Sequence, residues 1–174
     1  IGFFLSKRMF FRLNHLYLHI RAKGKPYLLN IDNPKTFNEK INWLKMYGYE
    51  ENGHNKADKL KVREYIKDCI GEDYLIPILG VYDSSDDIDF TSLPNQFAIK
   101  TNHGSGYNII CNDKNKIDVN LVKKKLNNWM KQNYYYYGKE WQYFNITPKI
   151  IIEKYLLDTE QDELLDYKFF CFNG

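Results

Sequence analysis

The chain has 174 residues, 44% of them hydrophobic, enough for one good core or for two small lobes. Its formal charge of +3 and pI near 8.6 fall short of the basic excess of proteins that wrap nucleic acid through its phosphates, so nucleic acid is not an expected partner. No window approaches the ~18 apolar residues of a membrane-spanning helix, and Cys69, Cys111 and Cys171, far apart and without a CxxC pair, argue against a disulfide framework or a thiolate zinc site.

A reducing, cytoplasmic setting is therefore expected. The opening Ile1–Leu5 is apolar but too short for a secretory h-region. Residues 7–25 carry Lys7, Arg8, Arg12, Arg21, Lys23 and Lys25, and no acid precedes Asp32. Phe10, Phe11, Leu13, Leu16, Leu18 and Ile20 recur among them at helical spacing, which predicts a basic, partly amphipathic helix. Two readings stand: a helix packed on its own domain with a solvated basic face, or one that meets anionic lipid or an acidic polymer. His15 and His19, four apart, share a helix face and are spaced to share a metal, but no third ligand and no Glu of the zinc-protease pattern accompany them, so no metal site is assigned.

Thr36-Phe37-Asn38-Glu39 has capping-box spacing before Ile41, Trp43 and Leu44. A second helix is expected over about 54–69, ending near Gly71, with Leu60, Val62 and Ile66 buried. The apolar run at 75–82 predicts a strand that Pro77 places at an edge or a bulge. The acidic stretch Asp83–Asp89 reads as the linker between a mostly helical lobe, 1–90, and a second portion, 91–174; its spacing does not match a calcium loop. Strands are then expected at 96–101 and 109–111, a helix at 118–132, and strands at 149–155 and 167–172, an α+β layer. The block Tyr134–Tyr137 reads as a helix end packing its rings, with a stacking platform as the alternative.

The chemistry concentrates in Phe97–Asn108, FAIKTNHGSGYN. Gly104 and Gly106, separated by Ser105, allow φ > 0 and an inward row of amides, a concavity suited to an anion; a plain hairpin turn is the alternative. Lys100, two residues before the loop, adds a point charge. The Walker pattern and the dinucleotide fingerprint are both absent. Ile150–Leu156, a hydrophobic strand turning polar at Glu153, is suited to offer backbone groups to an adenine edge, or is an ordinary core strand. Asp158, Glu160, Asp162 and Glu163 follow as candidate ribose acceptors, and Lys168 as a second cation.

KTFNEKINWLK at 35–45, YLIPILGVYDS at 74–84, FAIKTNHGSGYNII at 97–110 and DYKFFCFNG at 166–174 resemble the TupA-like ATP-grasp family, linked to teichuronopeptide, capsular and exopolysaccharide biosynthesis. The resemblance implies an N-terminal helical lobe followed by the first part of an ATP-grasp domain, an antiparallel sheet with a packed helix. It implies ATP and Mg2+ as cofactors. Lys100 would contact the α- or β-phosphate, and His103, Gly104, Ser105 and Gly106 would close over the β- and γ-phosphates. Glu153 with the backbone of Lys154 and Leu156 would meet adenine, Asp158 or Glu160 the ribose, and Lys168 the phosphates or the acyl substrate.

The family's magnesium ligands, an acid and a Glu-x-Asn pair, lie on later strands, so they are expected beyond Gly174 and the chain alone is expected to be inactive. The implied activity is carboxylate activation as an acyl phosphate and amide formation with an amine, both partners being small or polymer-linked. The alternatives are a non-catalytic nucleotide- or glycan-binding fragment, or a glycosyltransferase or kinase, against which the lack of a strand-end DxD counts. Peripheral contact with membrane polysaccharide machinery at the inner face, and pairing of an open sheet edge with a second copy, complete the expected partners.

Overall fold

The structure is a computed structural model that describes residues 6–23, 25, 27–157 and 167–171. It is α+β, with helices and one antiparallel sheet, and divides into two compact units. The first comprises Ile1–Tyr65, His103–Ser105 and Gln132–Thr147; the second comprises Ile66–Asn102, Gly106–Lys131 and Pro148–Gly174.

In the first unit, α1 spans Lys7–Arg21, α2 Phe37–Tyr47 and α3 Gly53–Ala57. Ser6 caps α1, its hydroxyl accepting from the Met9 amide at 3.3 Å. Helix α1 buries Phe11 and His15, and Phe11 joins Leu29 and Ile31 in a small core. The capping box forms as expected: Thr36 Oγ1 accepts from the Glu39 amide at 3.3 Å, and Glu39 Oε2 accepts from the Thr36 amide at 2.9 Å. Glu39 also accepts from the amides of Asn30 and Lys35, both at 2.9 Å. These backbone donors hold its carboxyl down at about 2.

The single helix expected over 54–69 is two. Helix α3 stops at Ala57, and α4 runs over Lys61–Ile70. Asp58, in extended backbone, breaks the run by accepting from the Leu60 amide at 2.9 Å, a local side-chain bond that competes with a continuous helix. Leu60, Val62 and Ile66 are half-buried rather than buried. Gly53 is required by packing, since a Cβ there would lie 2.1 Å from the Trp141 ring. Helix α5 spans Val119–Met130 in the second unit, and in the first the tyrosine block forms the short helix α6, Tyr135–Gly138. Its rings pack edge-on, Tyr134 against Tyr143 at 4.9 Å and Tyr135 against Phe144 at 5.1 Å.

The second unit holds β1 (Ile78–Tyr82), β2 (Phe97–Thr101), β3 (Asn108–Cys111) and β4 (Ile150–Lys154), in the order β1-β4-β2-β3 and antiparallel throughout. Strand β1 is an edge strand with a register irregularity between Ile78 and Gly80, as the proline before it predicts. Alternate residues, Phe97, Ile99, Cys111, Ile150 and Ile152, form the core with Val122 and Leu126 of α5. The acidic stretch at 83–89 is folded: Ser85 is fully buried and its hydroxyl donates to Asn127 at 2.9 Å, while Lys149 pairs with Asp83. Of the strand expected at 167–172, the described residues 167–171 join no ladder, since an aromatic-rich run becomes a strand only where an edge receives it. All three cysteines are free. Among the described residues no helix is long and apolar enough to cross a membrane.

Candidate nucleotide site

Period two sends the residues between the core positions to the sheet face opposite α5. Lys100 pairs in register with Asn108 and Ile151, and Ala98 with Ile110 and Glu153. Lys100 and Glu153 therefore stand diagonally on neighbouring strands of one face, within reach of each other. Their side chains form an ion pair, with the carboxylate 8% exposed and the ammonium 26%. On the same face Val81 and Ile110 are exposed on the outer strands, while Ala98 and Ile151 are buried on the inner ones. The face is thus apolar with one lysine–glutamate pair set into it, the kind of lining that small-molecule sites use.

The chain leaves β2 through a tied-down turn. Asn102 donates its amide to the Lys149 carbonyl at 3.1 Å, and its side-chain oxygen accepts from the Lys149 amide at 2.7 Å. The Thr101 amide donates to the Tyr107 carbonyl at 3.1 Å, closing the base of the loop. Within the first unit, His103 and Gly104 are buried and Lys59 donates to the Gly104 carbonyl. Ser105 and Gly106 are exposed, and their amides have no hydrogen-bond partner among the described residues. Only Gly106 uses the left-handed freedom that the glycine pair suggests, with φ at 76°. Tyr107 stacks on Trp129 at 5.2 Å, with the rings 12° from parallel.

At the other strand end the Lys154 amide donates to the Pro77 carbonyl at 2.9 Å, so that donor is committed to the edge strand. Leu156 is exposed. Lys168 lies in the irregular segment 167–171 rather than on a strand, and Asp158 and Glu160 lie outside the described residues. Residue reading alone missed Lys59, which is 45 residues from the carbonyl it binds, and the bracing role of Asn102. Asn102 carried a usable signal, an amide side chain at a strand exit that can mimic a backbone turn; Lys59 carried none.

Within the second unit, an ammonium paired with one carboxylate and the unengaged Gly106 amide are donors of the kind that meet phosphate oxygens. Among the described residues no three His, Cys, Asp or Glu side chains come together as a metal site. Neither curated proteins nor solved structures yielded a match. The family comparison matched TupA-like ATPgrasp over residues 39–174, which takes in α2 from Glu39 onward, every strand of the sheet and the glycine loop. With that match covering most of its length, the chain belongs to the TupA-like ATPgrasp family and is an ATP-grasp type protein.

Proposed function

We propose that the chain supplies the nucleotide-holding part of an ATP-dependent carboxylate–amine ligase of cell-surface polysaccharide biosynthesis, working on the cytoplasmic side. The observation that carries the nucleotide reading is the Lys100–Glu153 pair on the sheet face opposite α5, within a family named for grasping ATP. Lys100 exchanges its carboxylate partner for phosphate oxygens, and the Ser105 and Gly106 amides meet the terminal phosphates. Glu153, with its lysine drawn away, accepts from a donor on the base or ribose, and Leu156 packs on the base. Asp158 and Glu160 are the ribose candidates, and Lys168 is the second cation.

The reaction balances simply. A carboxylate oxygen attacks the γ-phosphorus, ADP leaves and an acyl phosphate forms; an amine then attacks the acyl carbon and phosphate leaves, giving the amide. Such a step needs alignment and charge neutralisation rather than a covalent residue. Magnesium, when bound, would supply further neutralisation of the phosphates.

Equilibrium binding of ATP, ADP and adenosine to wild type and to Lys100→Ala tests the first half. Loss of the two nucleotides with adenosine retained supports the phosphate role; equal ATP affinity for both proteins overturns it. For the ligase, a chain extended past Gly174 through the family's Glu-x-Asn strand is expected to release ADP only when both a carboxylate and an amine are present. Release that ignores both sinks it.

A further inference from the structure

Helix α1 is apolar on two sides. Phe11 and His15 are buried on one, at 1% and 8% exposure. Met9, Leu13, Tyr17 and Ile20 follow i, i+4, i+8 and i+11 spacing, which places them in one stripe on the opposite side. They are 46%, 47%, 54% and 60% exposed. Apolar residues scattered singly over a surface are ordinary, but four in a row along the outer face of one helix form a patch.

The charges are arranged about that stripe. At 100° per residue, Arg21 and then Lys7 lie to one side of it and Arg12 to the other, with Arg8 further round beside His15. The helix itself has no acid; Arg8 and Arg12 share a single carboxylate, Asp32, at 2.8 and 3.5 Å. Tyr17 stands in the stripe with its hydroxyl accepting from Arg21 at 3.3 Å, and that guanidinium lies 5.8 Å from its ring centroid. The tyrosine thus presents an apolar body and a polar, cation-bearing tip, and the long Arg and Lys stems beside it can lie along apolar material while their heads stay in water.

We propose that α1 lies in the surface of an anionic membrane, with the Met9–Leu13–Tyr17–Ile20 stripe at the acyl boundary and Lys7, Arg12 and Arg21 among the headgroups. The charge pattern selects this occupant. A helix with an apolar stripe between cations matches a surface that is apolar beneath and negative above. A second copy of this chain would bring the same cations to the same seam and be repelled. The helix is too short and too charged to span a bilayer, so the contact is peripheral. The inference is independent of the nucleotide reading, because no residue of the stripe belongs to that site.

Flotation with vesicles of phosphatidylcholine alone, and of phosphatidylcholine mixed with phosphatidylglycerol, tests it without any variant. The protein should partition onto the anionic vesicles, release at high salt and ignore the neutral ones. Replacing Lys7 and Arg21 by Gln together should weaken partition roughly 25-fold, about fivefold per cation. Leu13→Gln with Ile20→Gln keeps every charge and should weaken it about tenfold or more. Both pairs are exposed, so far-UV circular dichroism and the unfolding midpoint should stay at wild-type values. No binding to anionic vesicles, equal binding to neutral ones, or a wild-type dimer that Leu13→Gln dissociates would each overturn the proposal, the last by assigning the stripe to a second copy.

Discussion

Glu39 in the first unit and Glu153 in the second are equally buried, at 6% exposure each, yet they are built for different tasks. Glu39 is saturated by backbone: the amides of Asn30, Lys35 and Thr36 donate to its two oxygens at 2.9 Å. Those donors belong to the fold and cannot leave without unwinding the start of α2. Glu153 is balanced by Lys100, a flexible side chain on the neighbouring strand that is a quarter exposed. A carboxylate held by amides fixes structure, whereas one held by a lysine can exchange its partner when a ligand draws the lysine away.

The largest effect falls on Lys100. Lys100→Ala removes one arm of the ion pair with buried Glu153 and should cost about 2–3 kcal/mol in denaturant unfolding. Adding Glu153→Gln to that variant should recover part of the loss, because the charge that needed balancing is gone. A double variant no more stable than the single one would break the comparison. In ligand titration, Lys100→Ala should weaken ATP binding about tenfold or more, as expected for a charge-assisted contact. Next comes Gly106→Ala. Its Cβ meets nothing within 4 Å, so the cost is backbone alone, about 1–2 kcal/mol for an L-residue at positive φ. Nucleotide affinity measured on the same variant shows whether the turn's shape matters to the ligand.

Thr36→Ala removes one arm of the capping box and should cost about 1 kcal/mol while leaving ATP affinity unchanged, the counterpart of Lys100→Ala. The smallest effect appears only in acid. The carboxyl of Glu39 sits at about 2 in the folded chain against 4.5 for the free group, so its contribution is complete above about pH 4.5 and is lost as pH falls toward 2. Stability curves of wild type should show that decline, and Glu39→Gln should flatten it. An unchanged slope would mean that the amides do not hold the charge.

Local chemistry was legible in the residues. The capping box at Thr36–Glu39 and the edge position of β1 after Pro77 each depend on groups only a few residues apart. Asp58 was legible in principle, since an Asp before Leu60-Lys61-Val62 is a helix-start signal, but the helical period continues through it and hid the break. The aromatic-rich run at 167–172 suggested a strand that residues 167–171 do not form, because pairing is decided by a partner edge and not by composition.

Of the candidate site, sequence alone determined the lysine before the loop, the glycine turn and the strand that turns polar at Glu153. Period two made it certain that Lys100 and Glu153 would each face away from the apolar residues beside them. Only the tertiary structure decided that their strands are neighbours, that the register sets the two side chains diagonally on one face, and that Gly106 rather than Gly104 takes the positive φ. It also decided that Phe11 of α1 is buried while Met9, Leu13, Tyr17 and Ile20 stay exposed. The physical reason is the same in each case. Caps, turns and alternation are settled by atoms a few bonds apart, whereas strand order and which face is covered depend on surfaces that meet across long separations, and those carry no local signature.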